Sequence, residues 1–157
     1  MTTYTYEGFR KTAPAVYDAL SAMTKAVEAA GLEKTLTELV KLRVSQINGC
    51  AFCMQYHLTV SRQIGIAAEK LDLVAGWRDA GIFSKREQAA LAWAESLTRL
   101  ADHHPDEVVF AEAQKHFSED ELLFLTVAIG TINAWNRLGA GLRLPPILPR
   151  KAPGQAA

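Results

Sequence analysis

The sequence predicts an all-α domain, on three observations. Apolar residues recur at helical spacing through most of the chain. No segment alternates with period two over a useful length, and capping signals or glycine stops punctuate the periodic runs.

The first helix, from about Ala15 to Ala30, is rich in alanine and leucine and stops at Gly31. A second runs from about Glu33 to Ile47, with Leu36, Leu39, Val40, Val44 and Ile47 on one stripe. Asn48-Gly49 is its C-terminal signal. A third begins at Cys50 and reaches Gln63 ahead of Gly65, and a fourth covers about Ala67 to Ala80 before Gly81. Ser84-Lys85-Arg86-Glu87 is a capping box, opening a helix to about Leu100. Pro105 suits the first turn of a helix ending near Phe117. Ser118-Glu119-Asp120-Glu121 is a second capping box and starts a long apolar helix to about Leu138. These elements make residues 1–144 a single domain. The tail, 145–157, carries Pro145, Pro146, Pro149 and Pro153 and is expected to be extended or flexible.

One internal echo runs through this pattern. "ELVKLRVSQINGCAFC" (38–53) aligns without gaps on "ELLFLTVAIGTINAWN" (121–136), so that Asn133 and Asn136 fall where Cys50 and Cys53 fall. A duplicated helical unit would produce such a match, with thiols on the first copy alone. Leucine-rich helices also produce it by chance.

Charge excludes several classes of partner. Lysine plus arginine equals aspartate plus glutamate at 17 each, so nothing points to nucleic acid or a membrane surface. Apolar runs fall short of the ~20 residues of a membrane span. The start "MTTYTYEGFRK" lacks the apolar core of a signal peptide. A cytoplasmic protein is expected. A domain of this size needs no disulfide staple, and in a reducing compartment a Cys-x-x-Cys is redox-active or metal-binding before it is structural.

Both cysteines of the chain lie in "SQINGCAFCMQYH" (45–57). With Cys50 opening a helix, Cys53 at i+3 and His57 at i+7 share its face. An i,i+3 β-carbon separation of ~5–6 Å is slightly wider than a disulfide prefers. The bond forms if the first turn adjusts, and it is easily reduced. Unpaired N–H groups of a first turn favour thiolate, the reactive form. His57 stands one turn beyond Cys53 to take its proton, and needs an orienting partner. Glu38, folded back beside the third helix by the Asn48-Gly49 turn, is the candidate; alternatively it is a solvent-facing charge or pairs with Lys34 or Lys41. Two buried core thiols are the plainer reading of the cysteines. A metal site built from Cys50, Cys53, His57 and Glu38 is the sharper rival. His103, His104 and His116 read as solvated. Trp77, Trp93 and Trp135 read as core or interface anchors, and Asn133, Asn136 and Arg137 as structural.

"ELVKLRVSQINGCAFCMQYH" resembles the core motif of the alkylhydroperoxidase D-like branch of the carboxymuconolactone decarboxylase superfamily. The glutamate, the cysteine twelve on, the second cysteine and the histidine four beyond it all match in spacing. "FSKREQAALAWAESLTRL" and "FSEDELLFLTVAIGTINAWNRLG" resemble later helices of that branch, and the likeness runs from about Pro14 to Leu144.

The resemblance implies a peroxiredoxin-type alkyl hydroperoxide reductase that cycles a Cys-x-x-Cys pair between dithiol and disulfide. On that reading Cys53 attacks the peroxide, Cys50 resolves the sulfenic acid, and Glu38 and His57 relay the proton. This cysteine order is the reverse of that in thioredoxin. The resemblance also implies no resident cofactor, an external dithiol or thioredoxin-like electron donor, and a homo-oligomer, trimer or hexamer. The chain departs from the best-studied members in having Ala51-Phe52, with no histidine, between the cysteines. The aromatic removes a proton donor and makes the mouth of the site more apolar. The sister branch of lactone decarboxylases lacks the cysteine pair, which disfavours decarboxylation here. The alternatives are a non-catalytic redox-sensing oligomer and a metal-binding module.

Overall fold

In the computed structural model, which describes residues 4–148, three helices end just ahead of Gly31, Gly49 and Gly65. Gly31, Gly49, Gly65 and Gly81 all take positive φ. The helices are α1 (Tyr6–Thr12), α2 (Pro14–Ala29), α3 (Lys34–Ile47), α4 (Ala51–Gln63), α5 (Ala68–Leu73), α6 (Lys85–Thr98), α7 (Glu107–His116) and α8 (Glu119–Gly141). Among the described residues there is no strand, and the all-α expectation holds. Both capping boxes form: the Ser84 and Ser118 hydroxyls accept from the Glu87 and Glu121 N–H groups, and each glutamate returns the bond.

The departures from the sequence reading have local causes. Helix α1 was not anticipated. It is short and buries none of its residues, and Thr5 caps it by accepting from the Gly8 N–H. Its rings lean instead on Phe52 and Trp135 (Tyr6–Phe52 centroids 5.1 Å, Phe9–Trp135 5.9 Å). The single helix expected over 67–80 is α5 followed by a tighter 3₁₀ turn, Val74–Gly76. Pro105 precedes α7, because Asp106 takes the N-cap position and accepts from the Val108 N–H at 2.8 Å. The echoed segments differ in backbone. Asn48-Gly49 breaks the first copy into α3 and α4, whereas Thr131-Ile132 stands at that register in the second and α8 runs on unbroken. Residues 145–148 follow α8 without helix, and the rest of the expected tail lies outside the described residues.

Helix α3 is the axis of the fold, packed against α4, α6 and α8. Its Leu36, Val40 and Val44 join the larger apolar core with Leu125, Ile129 and Ala90. Leu39 and Leu42 face the opposite way, into a second core with Leu71, Val74, Trp77 and Leu91. A helix apolar on two sides has little surface left for water, so its charged residues are buried as well: Glu38 and Lys41 are both in the interior.

A second buried carboxylate ties α3 to α6. Glu95 accepts from Arg43 Nε at 2.7 Å, Arg78 Nη1 at 2.7 Å and Trp77 Nε1 at 3.1 Å. Removing it strands Arg43, whose side chain is largely covered. Glu95→Ala is therefore expected to cost ~3–5 kcal/mol in chemical denaturation. A loss below about 1 kcal/mol, the range of an exposed pair, would mean that the three donors find other partners.

Candidate active site

The site begins at the turn between α3 and α4. Gly49 at φ 66° reverses the chain in the left-handed region, where a β-carbon is crowded. Cys50 then becomes the N-cap of α4, its sulfur accepting from the Cys53 N–H at 3.2 Å. The two sulfurs are joined in a disulfide. The reversal lays α4 back along α3 and brings His57 opposite Glu38, as the sequence spacing anticipates.

The polar contacts are short and shielded. His57 Nδ1 lies 2.7 Å from Glu38 Oε2, and Lys41 Nζ donates to Glu38 Oε1 at 2.9 Å. Glu38 is 2% exposed and His57 8%. Beside a carboxylate, Nδ1 carries the proton and Nε2 is left as the acceptor. Burial by itself pushes the Glu38 carboxyl upward. The hydrogen bond and charge of His57, with Lys41, outweigh burial and hold it at about 2. The sequence offers Lys41 as an alternative partner for Glu38; the structure gives the carboxylate both Lys41 and His57.

A cavity of about 490 Å³ opens onto this group, and Glu38, Lys41, His57 and Cys53 line it. The rest of its wall is mostly aromatic and aliphatic: Tyr6, Tyr17, Phe52, Tyr56, Val60, Ile132 and Trp135. Cys50 does not reach the cavity and is 1% exposed. Phe52, between the cysteines, packs on Tyr6 and stacks near Tyr56, so the apolar mouth expected from "CAFC" is present.

Helix α8 backs the turn that carries the cysteines. Asn48 Nδ2 donates to Asn133 Oδ1 and Asn136 Oδ1, both at 2.9 Å. Asn136 Nδ2 donates in turn to Ser45 Oγ at 3.1 Å. Asn133 and Asn136 are structural, as read, but what they hold is the turn that carries the cysteines. Trp77 and Trp93 are core anchors; Trp135 lines the cavity. His103 and His104 are exposed, and His116 pairs with Glu112. The four candidate metal ligands are engaged otherwise: the sulfurs with each other, Glu38 with His57 and Lys41. Among the described residues no group of three or more His, Cys, Asp or Glu side chains is placed to hold a metal ion. Sequence reasoning missed the cavity's tyrosines and Gly139, whose signal was its three-residue spacing after Asn133 and Asn136.

The sequence profile of the carboxymuconolactone decarboxylase family matches residues 14–96, a span holding Glu38, Cys50, Cys53 and His57. The chain belongs to that family. The uncharacterized protein YdfG of Bacillus subtilis (strain 168) is 30% identical over 120 residues, 76% of this chain and 82% of its own length. A crystal structure from Agrobacterium tumefaciens superposes with a TM-score of 0.88 at 34% identity, covering 95% of this chain and 100% of that one. That protein is of unknown function and described provisionally as the antioxidant defence protein AhpD. These similarities place the chain in the family's AhpD-like branch. The debrominase Bmp8 shares the fold at a TM-score of 0.78 and 20% identity, over 87% of this chain and 73% of its own. Among the described residues no helix is long and apolar enough to cross a bilayer.

The depressed Glu38 carboxyl fixes the sign of a pH effect. Its folded value of about 2 lies below the ordinary 4.5, so its contribution to stability is complete above about 4.5 and is lost as pH falls towards 2. Glu38→Gln is expected to be less stable than wild type near neutrality, with the gap narrowing across that acid window. Denaturant titrations at pH 2 to 6 read this, and a gap that stays constant would contradict the charge pairing.

Proposed function

We propose that the protein is a thiol-dependent peroxidase that reduces hydroperoxides through the Cys50–Cys53 pair, with Glu38 and His57 relaying the proton. One observation carries the reading: Cys53 shares a cavity wall with an imidazole already oriented by a buried carboxylate, while Cys50 is bonded to it from behind, away from the cavity. The AhpD-like relatives support the same chemistry.

The steps balance. In the dithiol state His57 Nε2 accepts the Cys53 thiol proton, and the first turn of α4 favours the thiolate. The thiolate attacks the terminal peroxide oxygen, the O–O bond breaks, and the proton leaves with the alkoxide as an alcohol. Cys53 is then a sulfenic acid. The Cys50 thiol displaces its hydroxyl as water, and the disulfide forms. An external dithiol, small or carried by a thioredoxin-like protein, reduces that disulfide and is itself oxidised to one. No resident cofactor enters this cycle. Glu38 keeps the imidazole in the tautomer that leaves Nε2 free, and Lys41 keeps Glu38 ionised. We further propose that the chain works in the cytoplasm as a homo-oligomer, a trimer or hexamer.

A second reading, a redox sensor whose disulfide changes assembly without turnover, draws on the burial of both cysteines, 1% and 3% exposed. Steady-state hydroperoxide consumption with a recycling dithiol separates the two. Cys53→Ser is expected to abolish consumption, and Cys50→Ser to permit one slow oxidation without cycling. His57→Ala should lower the rate by ~10²–10⁴, the usual share of a general base. Full consumption by Cys53→Ser would overturn the assigned roles, and no sustained consumption by the wild type would leave the sensor.

A further inference from the structure

Helix α8 presents Asn133, Asn136 and Gly139 at three-residue intervals, on one face, to the turn that carries the cysteines. The two amides hold Asn48. Gly139 meets the sulfurs. A β-carbon built there would lie 2.6 Å from Cys50 Sγ and 3.0 Å from Cys53 Sγ, with Phe52 Cδ1 at 3.9 Å. Nothing in the helix's own geometry asks for glycine, since Gly139 is an interior residue of α8 without a positive φ. Glycine in a helix interior costs roughly 0.5–1 kcal/mol relative to alanine. What the position supplies is space.

We propose that Gly139 is a positioning residue for the redox pair: its bare backbone is the hollow against which Cys50 and Cys53 close their disulfide. The inference rests on the dithiol–disulfide cycle of the proposed function and adds a determinant of its poise.

The effect of filling the hollow differs between the two redox states. In the disulfide each sulfur is tied to the other, and the Asn48 amide bonds hold the turn against α8, so neither sulfur yields without carrying backbone with it. In the dithiol each Sγ is the free end of a side chain and turns away about its Cα–Cβ bond. A methyl group at 139 therefore works against the oxidised state and leaves the reduced state nearly untouched. Destabilising the disulfide raises the reduction potential and makes the pair a stronger oxidant.

The test is the equilibrium with reduced and oxidised glutathione, in which the protein disulfide plus two thiols gives the dithiol plus one glutathione disulfide. Trapping by alkylation reads the ratio, and no peroxide is involved. Gly139→Ala is expected to shift the balance at least about tenfold towards the dithiol, or about 30 mV for a two-electron couple. Gly130→Ala, elsewhere on α8 with nothing within 4 Å of an added β-carbon, should leave it unchanged. The oxidised Gly139→Ala protein should melt lower than oxidised wild type, and the reduced variant should melt no lower than reduced wild type. Should oxidised Gly139→Ala not fold, the Cys50→Ala background decides, because it removes the nearer sulfur: there Gly139→Ala should be tolerated. An unchanged glutathione equilibrium, or an equal penalty with and without the Cys50 sulfur, overturns the proposal while leaving the peroxidase reading standing. Wild-type protein that does not interconvert in these buffers overturns the cycle itself, and the proposal with it.

Discussion

A carboxylate in the centre of a helical protein needs company. Glu38 is buried because α3 is covered on nearly every side, and an unpaired charge there would cost several kcal/mol or lose its ionisation. Two partners prevent that: the His57 N–H on one oxygen and the Lys41 ammonium on the other. The same bonds that make the charge tolerable fix the imidazole's tautomer and direction. Core architecture and proton chemistry are therefore one problem here, and α3 solves both by carrying apolar residues on two faces and Glu38, Lys41 and Ser45 on what remains.

The thiol side of the site depends on a different element. The turn at Asn48-Gly49-Cys50 closes on its own backbone, Gly49 N–H to Gln46 O at 3.2 Å and Cys50 N–H to Ser45 O at 3.1 Å, and α8 braces it from behind, with amides at 133 and 136 and bare backbone at 139. Cys53 consequently faces the cavity while Cys50 faces the helix, so two chemically identical side chains three residues apart sit in unlike surroundings. That asymmetry gives the pair distinct roles in the proposed cycle. The aromatic wall contributed by α1, α2 and α8 surrounds the open side with low-polarity surface, which strengthens the Glu38–His57 contact relative to its value in water.

The fold alone does not choose the chemistry. A debrominase shares it at 20% identity, as expected where function resides in a site grafted onto a common scaffold. What bears on the activity of this chain is the group of residues at the α3–α4 junction and the cavity beside it.

How much of this was legible beforehand follows from the range of each interaction. Helix ends at Gly31, Gly49 and Gly65, both capping boxes, and the shared face of Cys53 and His57 are local matters settled within a few residues, and the sequence determined them by itself. The break after Leu73 was not legible, because the pull on Val74 and Trp77 comes from a core assembled by distant segments. Nor was α1, which is held by rings of α2, α4 and α8. Tertiary structure alone decided that Cys53 and not Cys50 would line a cavity, and that Gly139 would lie under both sulfurs. Those outcomes depend on contacts between residues up to about ninety positions apart. Periodicity reports which face of a helix is apolar; it carries no record of which helix will meet that face.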